Sequence, residues 1–474
     1  MRKIAALPFE NLTGDASLDW IRTAGPSILA EELAGSSHVS ISLAGTLADI
    51  RNAGVPSILH TTYTREHGNL RFQFSMEDRN SQRVEPVSLP SASANGSVLS
   101  AVDTLARTFD PQVRAFSTTN AAAVEAWGRG SFDQATELDP DFGAAWAARV
   151  RMLAQAGKQD EALQLADTAL ARKTLHSDWN RAQLRVLAAT LRKDSSARAA
   201  ALSEVANLAP HDPLSLATAA EAQGTARNFA ASAQLYAKLW SVDHSDPRVL
   251  NSLGYAEGFA GNLDAAQKAF DEYGKLPGSQ VNALDSLGEV YFLNGRFADA
   301  ERAFVQEYGL DPKFLGGAAA MKAAYAHWLA GDLAGADAMV QKYVVALVKG
   351  NAGLAIWRQA TWLYATGRQE QALAMLAKAP ADDRIRRQVT VWQNLNRLPS
   401  TVEALKPVYE SQQPAQDGVA RVLYAAALVN AGKTDDARAL LKRWPLPENG
   451  ADPTLETIVF PKYLELRKKL QVGQ

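Results

Sequence analysis

The sequence predicts a mainly α-helical solenoid preceded by a small α/β domain, and three observations predict it. A short turn pattern built around glycine recurs down the carboxy-terminal two-thirds of the chain. The segments between its copies are Ala-rich and amphipathic. The first 110 residues have another texture, with alternating apolar and polar stretches and more Ser, Thr and Asn.

The turn pattern reads Ala156-Gly157-Lys158-Gln159 in its first clear copy. It returns at Ala260-Gly261-Asn262, Asn294-Gly295-Arg296, Ala330-Gly331-Asp332, Thr366-Gly367-Arg368 and Ala431-Gly432-Lys433. The glycines are separated by 104, 34, 36, 36 and 65 residues. The two long gaps hold three and two units, with turns lacking glycine at Lys193-Asp194, Arg227-Asn228-Phe229 and Asn396-Arg397. A fixed period near 34 residues predicts about nine helix–turn–helix units, each with an apolar face that only stacking buries.

The clearest unit spans residues 281–314. Leu287-Gly288 falls within its first helix, where a missing side chain lets the neighbouring helix backbone come close. Tyr291 fills the space beneath it. Gly295 ends the first helix in the left-handed conformation that glycine adopts cheaply. Ala300 marks a tight crossing, Phe304 lies one turn further on, and Pro312 stops the second helix. The unit before it repeats the pattern with Leu253-Gly254, Gly261, Ala266, Phe270 and Pro277; the first full unit has Trp146, Gly157, Ala162 and Ala169.

This series resembles the tetratricopeptide repeat. The resemblance implies a right-handed α–α superhelix (a solenoid) over residues 143–446, with a linker and shortened leading repeat at 111–142 and a capping helix and tail at 447–474. The leading unit, with Trp127, Gly130 and Phe132, has room for little more than one helix before Pro140. Residues 179–210 lack a turn glycine, and Leu398-Pro399-Ser400 puts proline in a turn.

Residues 1–110 predict an α/β sandwich: a strand at 3–9, a polar loop at 10–17, a helix at 18–34 broken near Gly25-Pro26, a strand at 38–43 and a short helix at 45–52. Two strands at 57–65 and 70–77 follow across the turn His67-Gly68-Asn69, with Phe72, Phe74 and Met76 alternating with polar neighbours. A strand at 83–89 and a helix at 97–109 close the domain. The opening Ile4-Ala5-Ala6-Leu7-Pro8-Phe9-Glu10-Asn11-Leu12-Thr13-Gly14-Asp15 resembles TolB-like amino-terminal domains, with Pro8, Phe9, Asn11, Leu12, Gly14 and Asp15 on the matching positions. The resemblance implies a bacterial setting, where such domains precede tetratricopeptide repeats in parts of Ser/Thr kinases, adenylate cyclases and winged-helix regulators. No kinase, cyclase or winged-helix segment stands before Ile4. The segment Val459-Phe460-Pro461-Lys462-Tyr463-Leu464 resembles the closing helix of such chains, which caps the last repeat.

The loop 10–17 reads as a turn held by Asn and Asp on their own backbone, or as a cradle for a small anion. Asn11-Leu12-Thr13 also fits a glycosylation acceptor, with nothing else in support.

No catalytic or metal signature is legible, and the expectation is a non-enzyme without cofactors. The seven histidines form no H-E-x-x-H pair, and phosphate-loop, dinucleotide and nucleophile-elbow motifs are absent. Asp382-Asp383 and Asp435-Asp436 sit in turns, where they favour helix starts. There is no cysteine, hence no disulfide framework. With 49 basic and 51 acidic side chains, net charge is −2, which gives no signal for nucleic acid. No apolar run is long enough for a membrane helix. A chain complete as it stands is expected in the cytoplasm; a piece of a longer protein is expected in an extracytoplasmic compartment. Oligomeric state is not legible.

In tetratricopeptide arrays the first helix of each unit lines a concave face, so the resemblance implies a groove that takes a protein or peptide. Its inward positions here carry Asn251 and Tyr255; Asn282, Asp285, Glu289 and Phe292; Met321, Tyr325 and Trp328; and Trp357, Thr361 and Tyr364. The face passes from acidic-polar to aromatic, and aromatic side chains anchor peptides at low entropic cost. Trp328 and Trp357 fit core and groove equally; Asp285 and Glu289 are expected to be exposed. The basic clamp that grips a terminal carboxylate in some relatives is missing. Two functions follow: an interaction scaffold, or a sensory module of a bacterial kinase or transcriptional regulator whose α/β domain binds a small ligand or envelope component.

Overall fold

The computed structural model describes residues 2–46, 55–89, 97–175, 177–348, 350–378, 400–410, 418–442 and 460–472. It divides into two units, Met1–Ala226 with Lys238–His244, and Arg227–Ala237 with Ser245–Gln474.

Unit 1 opens with a six-stranded sheet of order β3-β1-β4-β5-β6, with β2 pairing with β4 beside β1. The strands are β1 (Arg2–Ala6), β2 (Glu10–Asn11), β3 (Val39–Leu43), β4 (Ser57–Glu66), β5 (Asn69–Asp78) and β6 (Arg83–Pro86). β1 runs parallel to β3 and β4, whereas β4–β5 and β5–β6 are antiparallel. Ile4, Ala6, Leu59, Tyr63, Phe72, Phe74 and Met76 share one apolar core with Ile21, Ile28 and Leu29 of helix Ile21–Leu33 and with Val102 and Leu105 of helix Val98–Phe109. Ala5 and Ile58, on the alternate positions, join a smaller cluster with Val55.

Two sequence expectations are corrected here. The first strand ends at Ala6, not at residue 9. The first helix is continuous through Gly25-Pro26, not broken there. One contact explains both. Pro26 has no N–H, so the carbonyl of Arg22, four residues earlier, has no helical donor. The Phe9 amide takes that carbonyl at 2.9 Å. Gly25 opens the space above it, because a Cβ there would collide with the Phe9 ring. The proline that would break the helix instead docks the end of the strand. The helix expected at 45–52 falls mostly outside the described residues.

The loop at 10–17 is a self-contained turn. The Asn11 side chain donates to the Asp15 carbonyl at 3.0 Å and to Asp19 at 2.7 Å, and accepts from Thr13; the Asp15 carboxylate accepts the Ser17 amide. Its polar groups are spent on one another, which supports the turn reading over the anion cradle.

The helices that follow are tetratricopeptide-like hairpins. Unit 1 carries Ala121–Gly128 with Phe132–Leu138, Gly143–Gln155 with Gln159–Ala171, and Asp178–Leu191 with Ser195–Leu208, then Pro213–Thr225. The leading unit therefore has two short helices where room for little more than one was expected. Unit 2 carries Arg248–Phe259 with Leu263–Gly274, Gln280–Leu293 with Phe297–Leu310, Ala318–Leu329 with Leu333–Val348, Ala352–Ala365 with Gln369–Leu376, Ser400–Glu410, and Gly418–Asn430 with Thr434–Lys442. The turns at Asn396-Arg397 and Leu398-Pro399 lie outside the described residues. The closing helix Phe460–Leu470 buries Tyr463, Leu466 and Leu470 in the unit 2 core, and its Leu470 carbonyl accepts from Arg438 at 3.1 Å.

The turns share one geometry. Gly295 has φ +75°, its amide bonds the Phe292 carbonyl and the next amide bonds that of Tyr291, at 3.0 and 2.8 Å. The turns without glycine keep this conformation in other residues, Lys193 at φ +56° and Arg227 at φ +63°. A Cβ at Gly288 would stand 2.5 Å from the Phe304 ring, and one at Gly254 2.6 Å from Phe270. The mid-helix glycine thus admits a phenylalanine ring of the paired helix rather than its backbone.

Candidate functional site

The first helices of three consecutive unit 2 hairpins are joined by a polar ladder. Tyr255 on Arg248–Phe259 donates to Glu289 on Gln280–Leu293 at 2.7 Å. Lys322 on Ala318–Leu329 donates to Glu289 and to Asp285, each at 2.6 Å. Asp285 and Glu289 are one turn apart on a single helix, so both reach one ammonium. Glu307, on the second helix of the middle hairpin, is fully buried beside Asp285.

Burial is the largest influence on Glu307, Asp285, Tyr255 and Lys322. It pushes the Glu307 carboxyl up to about 8, with the Asp285 charge adding to the rise. Both Glu307 carboxyl oxygens are buried without a hydrogen-bond partner, and the neutral acid is the form that can sit beside the Asp285 carboxylate. Burial also raises Asp285, against the opposing charge of Lys322. Tyr255 is raised well above its ordinary value by burial and by the Glu289 charge. Lys322 is driven upward by Glu289 and Asp285, which outweigh its own desolvation.

The sequence-chosen groove residues divide in two. Asn251, Tyr255, Asn282, Glu289, Trp328 and Trp357 are half-buried. Asn282 donates to the Tyr273 hydroxyl at 3.1 Å. Asp285 is only 4% exposed, correcting the expectation of an open acidic position; the Lys322 ammonium allows its burial. Phe292, Met321 and Tyr325 are buried as well. Tyr325 packs edge-on against Trp362 at 5.2 Å, and Trp328 does the same at 5.8 Å. Trp362 is itself core, donating to Asp337 at 2.6 Å, and Arg368 grips the same carboxylate at 2.7 and 2.8 Å. Part of the aromatic stripe is thus packing between hairpins. The side chains of Thr361 and Tyr364 lie outside the described residues.

Sequence reasoning missed Lys322 and Glu307. Lys322 did leave a signal, as the one cation in Ala318–Leu329 apart from a histidine near its end. A lone charge in a helix of alanines and aromatics needs a partner on the next helix. Glu307 looks like any surface glutamate in its sequence, and nothing local marks it.

Unit 1 holds a second concave feature. A cleft of about 490 Å³ lies among helix Ile21–Leu33, the leading hairpins and helix Asp178–Leu191; Glu31, Trp127, Arg151, Trp179 and Asn180 line it. Among the described residues, no group of side chains is arranged to hold a metal ion, and no helix is long and apolar enough to cross a membrane.

No family model matches this chain, and no curated protein sequence matches it. Solved structures with some similarity include Naa15/Naa10 bound to HypK-THB, at 16% identity over 73% of this chain and 57% of that one, with a TM-score of 0.40. The chain thus spans little more than half the length of that relative. The human IFIT1 dimer with m7Gppp-AAAA is 12% identical over 69% of this chain and 90% of that one, with a TM-score of 0.29. The TPR domain of P58(IPK) is 15% identical over 63% and 92%, with a TM-score of 0.19.

Proposed function

We propose that the chain is a non-enzymatic interaction scaffold that binds a peptide segment of another protein along the first-helix face of unit 2. The observation that carries this reading is the ladder Tyr255–Glu289–Lys322–Asp285, which fixes three successive first helices in register. Half-exposed Trp328 and Trp357 continue that face. A rigid face with aromatic anchors binds an extended segment without first ordering itself. Asn251, Tyr255, Asn282, Glu289, Trp328 and Trp357 contribute contacts, and Asp285 and Tyr325 support them from below.

A photo-crosslinking residue placed at Trp328 or Trp357, and at exposed Lys342 on the second helix as a control, tests the reading. A protein captured from the two tryptophan positions alone should bind the purified chain, and the Trp357→Ala variant should bind it at least about tenfold more weakly. Equal binding by wild type, Trp328→Ala and Trp357→Ala overturns it.

A second reading is a sensory module of a bacterial signalling protein with a TolB-like amino-terminal domain. The matches at Pro8, Phe9, Asn11, Leu12, Gly14 and Asp15 support it, as does the cleft that helix Ile21–Leu33 shares with the leading hairpins of unit 1.

A further inference from the structure

We propose that the unit 1 cleft binds a free α-amino acid with an apolar side chain, its ammonium at Glu31 and its carboxylate at Arg151. This goes beyond the scaffold reading, does not depend on it, and gives the sensory reading a ligand class.

The cleft holds two opposite charges that do not pair with each other. One Glu31 oxygen accepts from Asn180 Nδ2 at 2.7 Å. Arg151 makes no hydrogen bond or ion pair among the described residues, although it lines the same cleft. A guanidinium normally seeks a carboxylate or a carbonyl fork. Arg114 does so, spending one terminal nitrogen on the Ala34 and Leu208 carbonyls at 2.6 Å each. Arg151 keeps its donors for something that enters. A ligand bearing only a carboxylate would suit Arg151 but meet Glu31, and a ligand bearing only an amine would have the reverse difficulty. A zwitterion satisfies both ends.

Two aromatic walls, Trp127 and Trp179, can take an apolar side chain, beside the polar Thr23, Ser27 and Gln183. Trp179 is held face-on by Arg114, whose guanidinium carbon lies 4.5 Å from the ring centroid. Trp127 is fixed in a cluster with Phe116 and Phe142, at 5.8 and 5.9 Å between centroids. The cleft is near the lower end of the size range of small-ligand sites, about 300–1,000 Å³. Its acid is also set in place before any ligand arrives. A Cβ at Gly143 would stand 2.5 Å from the Asn180 Cβ, so only glycine lets helix Asp178–Leu191 close on Gly143–Gln155 and carry Asn180 to Glu31. Burial raises the Glu31 carboxyl, opposed by Asn180 and by the charges of Arg114 and Arg151; an incoming ammonium supplies further compensation.

Isothermal titration of the full chain with L-leucine, L-phenylalanine, 3-phenylpropionate and 2-phenylethylamine tests the assignment. At least one of the two amino acids should bind, with both single-charge analogues weaker by about tenfold or more, the value of one charged hydrogen-bonded contact. Arg151→Gln and Glu31→Gln should each cost a similar factor. Arg151 is exposed, so its variant keeps the fold even if Glu31→Gln does not, and circular dichroism checks both. The proposal is overturned if neither amino acid binds, if 3-phenylpropionate or 2-phenylethylamine binds as well as the amino acid, or if folded Arg151→Gln binds unchanged.

Discussion

Two hairpins of the array, Asp178–Leu191 with Ser195–Leu208 and Gln280–Leu293 with Phe297–Leu310, close with the same turn and pack by different means. In the second, Gly288 receives the Phe304 ring, which is fully buried. The first contains no glycine and fills its interface with Leu184, Ala188, Ala199, Leu202 and Val205. The turn hydrogen bonds nevertheless coincide: amides of Lys193 and Asp194 reach Thr190 and Ala189 at 3.0 Å, as Gly295 and Arg296 reach Phe292 and Tyr291. The backbone path is therefore what the repeat conserves. The packing beneath it can be one large ring in a notch, or many small side chains on a flat seam.

The largest expected effect breaks the notch. Phe304→Ala should destabilise its hairpin by about 3–5 kcal/mol. Gly288→Ala should cost about 1–3 kcal/mol, because the added methyl meets a ring that has nowhere to move. The double variant should cost less than the two singles combined, since the new methyl enters space the ring has left. Hydrogen exchange of peptides from 280–310 reads each local opening energy. Additive costs would show that glycine and ring are not a packed pair.

A second effect lies in the pH dependence of the second hairpin, which buries an acid that the first lacks. The Glu307 carboxyl moves from an ordinary 4.5 to about 8 on folding. The folded chain thus keeps a proton that the unfolded chain has released. Its contribution to stability is complete below about 4.5, declines as pH rises, and is gone above about 8. Glu32, in unit 1, is raised to about 8 by burial and acts in the same window and direction. Thermal melts should therefore fall in midpoint between pH 5.5 and 8.5. Glu307→Gln, which keeps the shape and removes the titrating proton, should flatten the unit 2 part of that fall and leave the part due to Glu32. An unchanged slope in Glu307→Gln would mean that Glu307 is ionised in the folded chain.

This contrast also explains what the sequence made legible. Glycine–aromatic notches and glycine turns are local patterns, so the hairpins from Arg248 to Leu310 could be read from residues alone. The Ala-packed hairpin before them could be placed only by counting the period. Gly25-Pro26 misled for a physical reason: both residues serve Phe9, a partner many positions away, and local rules see only a broken helix. The polar ladder was half legible. Tyr255, Asp285 and Glu289 fall on the inward stripe of two helices, but Glu307 joins them only when the middle hairpin closes and Lys322 only when the next hairpin stacks. Depth within the stack is the quantity a periodic pattern leaves open, and it placed Asp285 and Tyr325 inside while leaving Trp328 and Trp357 half-exposed.

The smallest expected effect has the opposite sign and concerns the turn the two hairpins share. Lys193 holds φ +56° with an exposed side chain, and it makes no side-chain hydrogen bond or ion pair among the described residues. A non-glycine residue in this region carries roughly 1 kcal/mol of steric cost that glycine avoids. Glycine returns part of that gain, because it frees the unfolded chain. Lys193→Gly should therefore stabilise the first hairpin by about 0.5 kcal/mol, visible as slower exchange across 178–208 with no change across 280–310. Gly295→Ala should do the reverse in the second hairpin, where a side chain must adopt φ +75°. If Lys193→Gly instead loosened its hairpin, lysine would be contributing there through its side chain, and the two turns would share a path without sharing the reason for it.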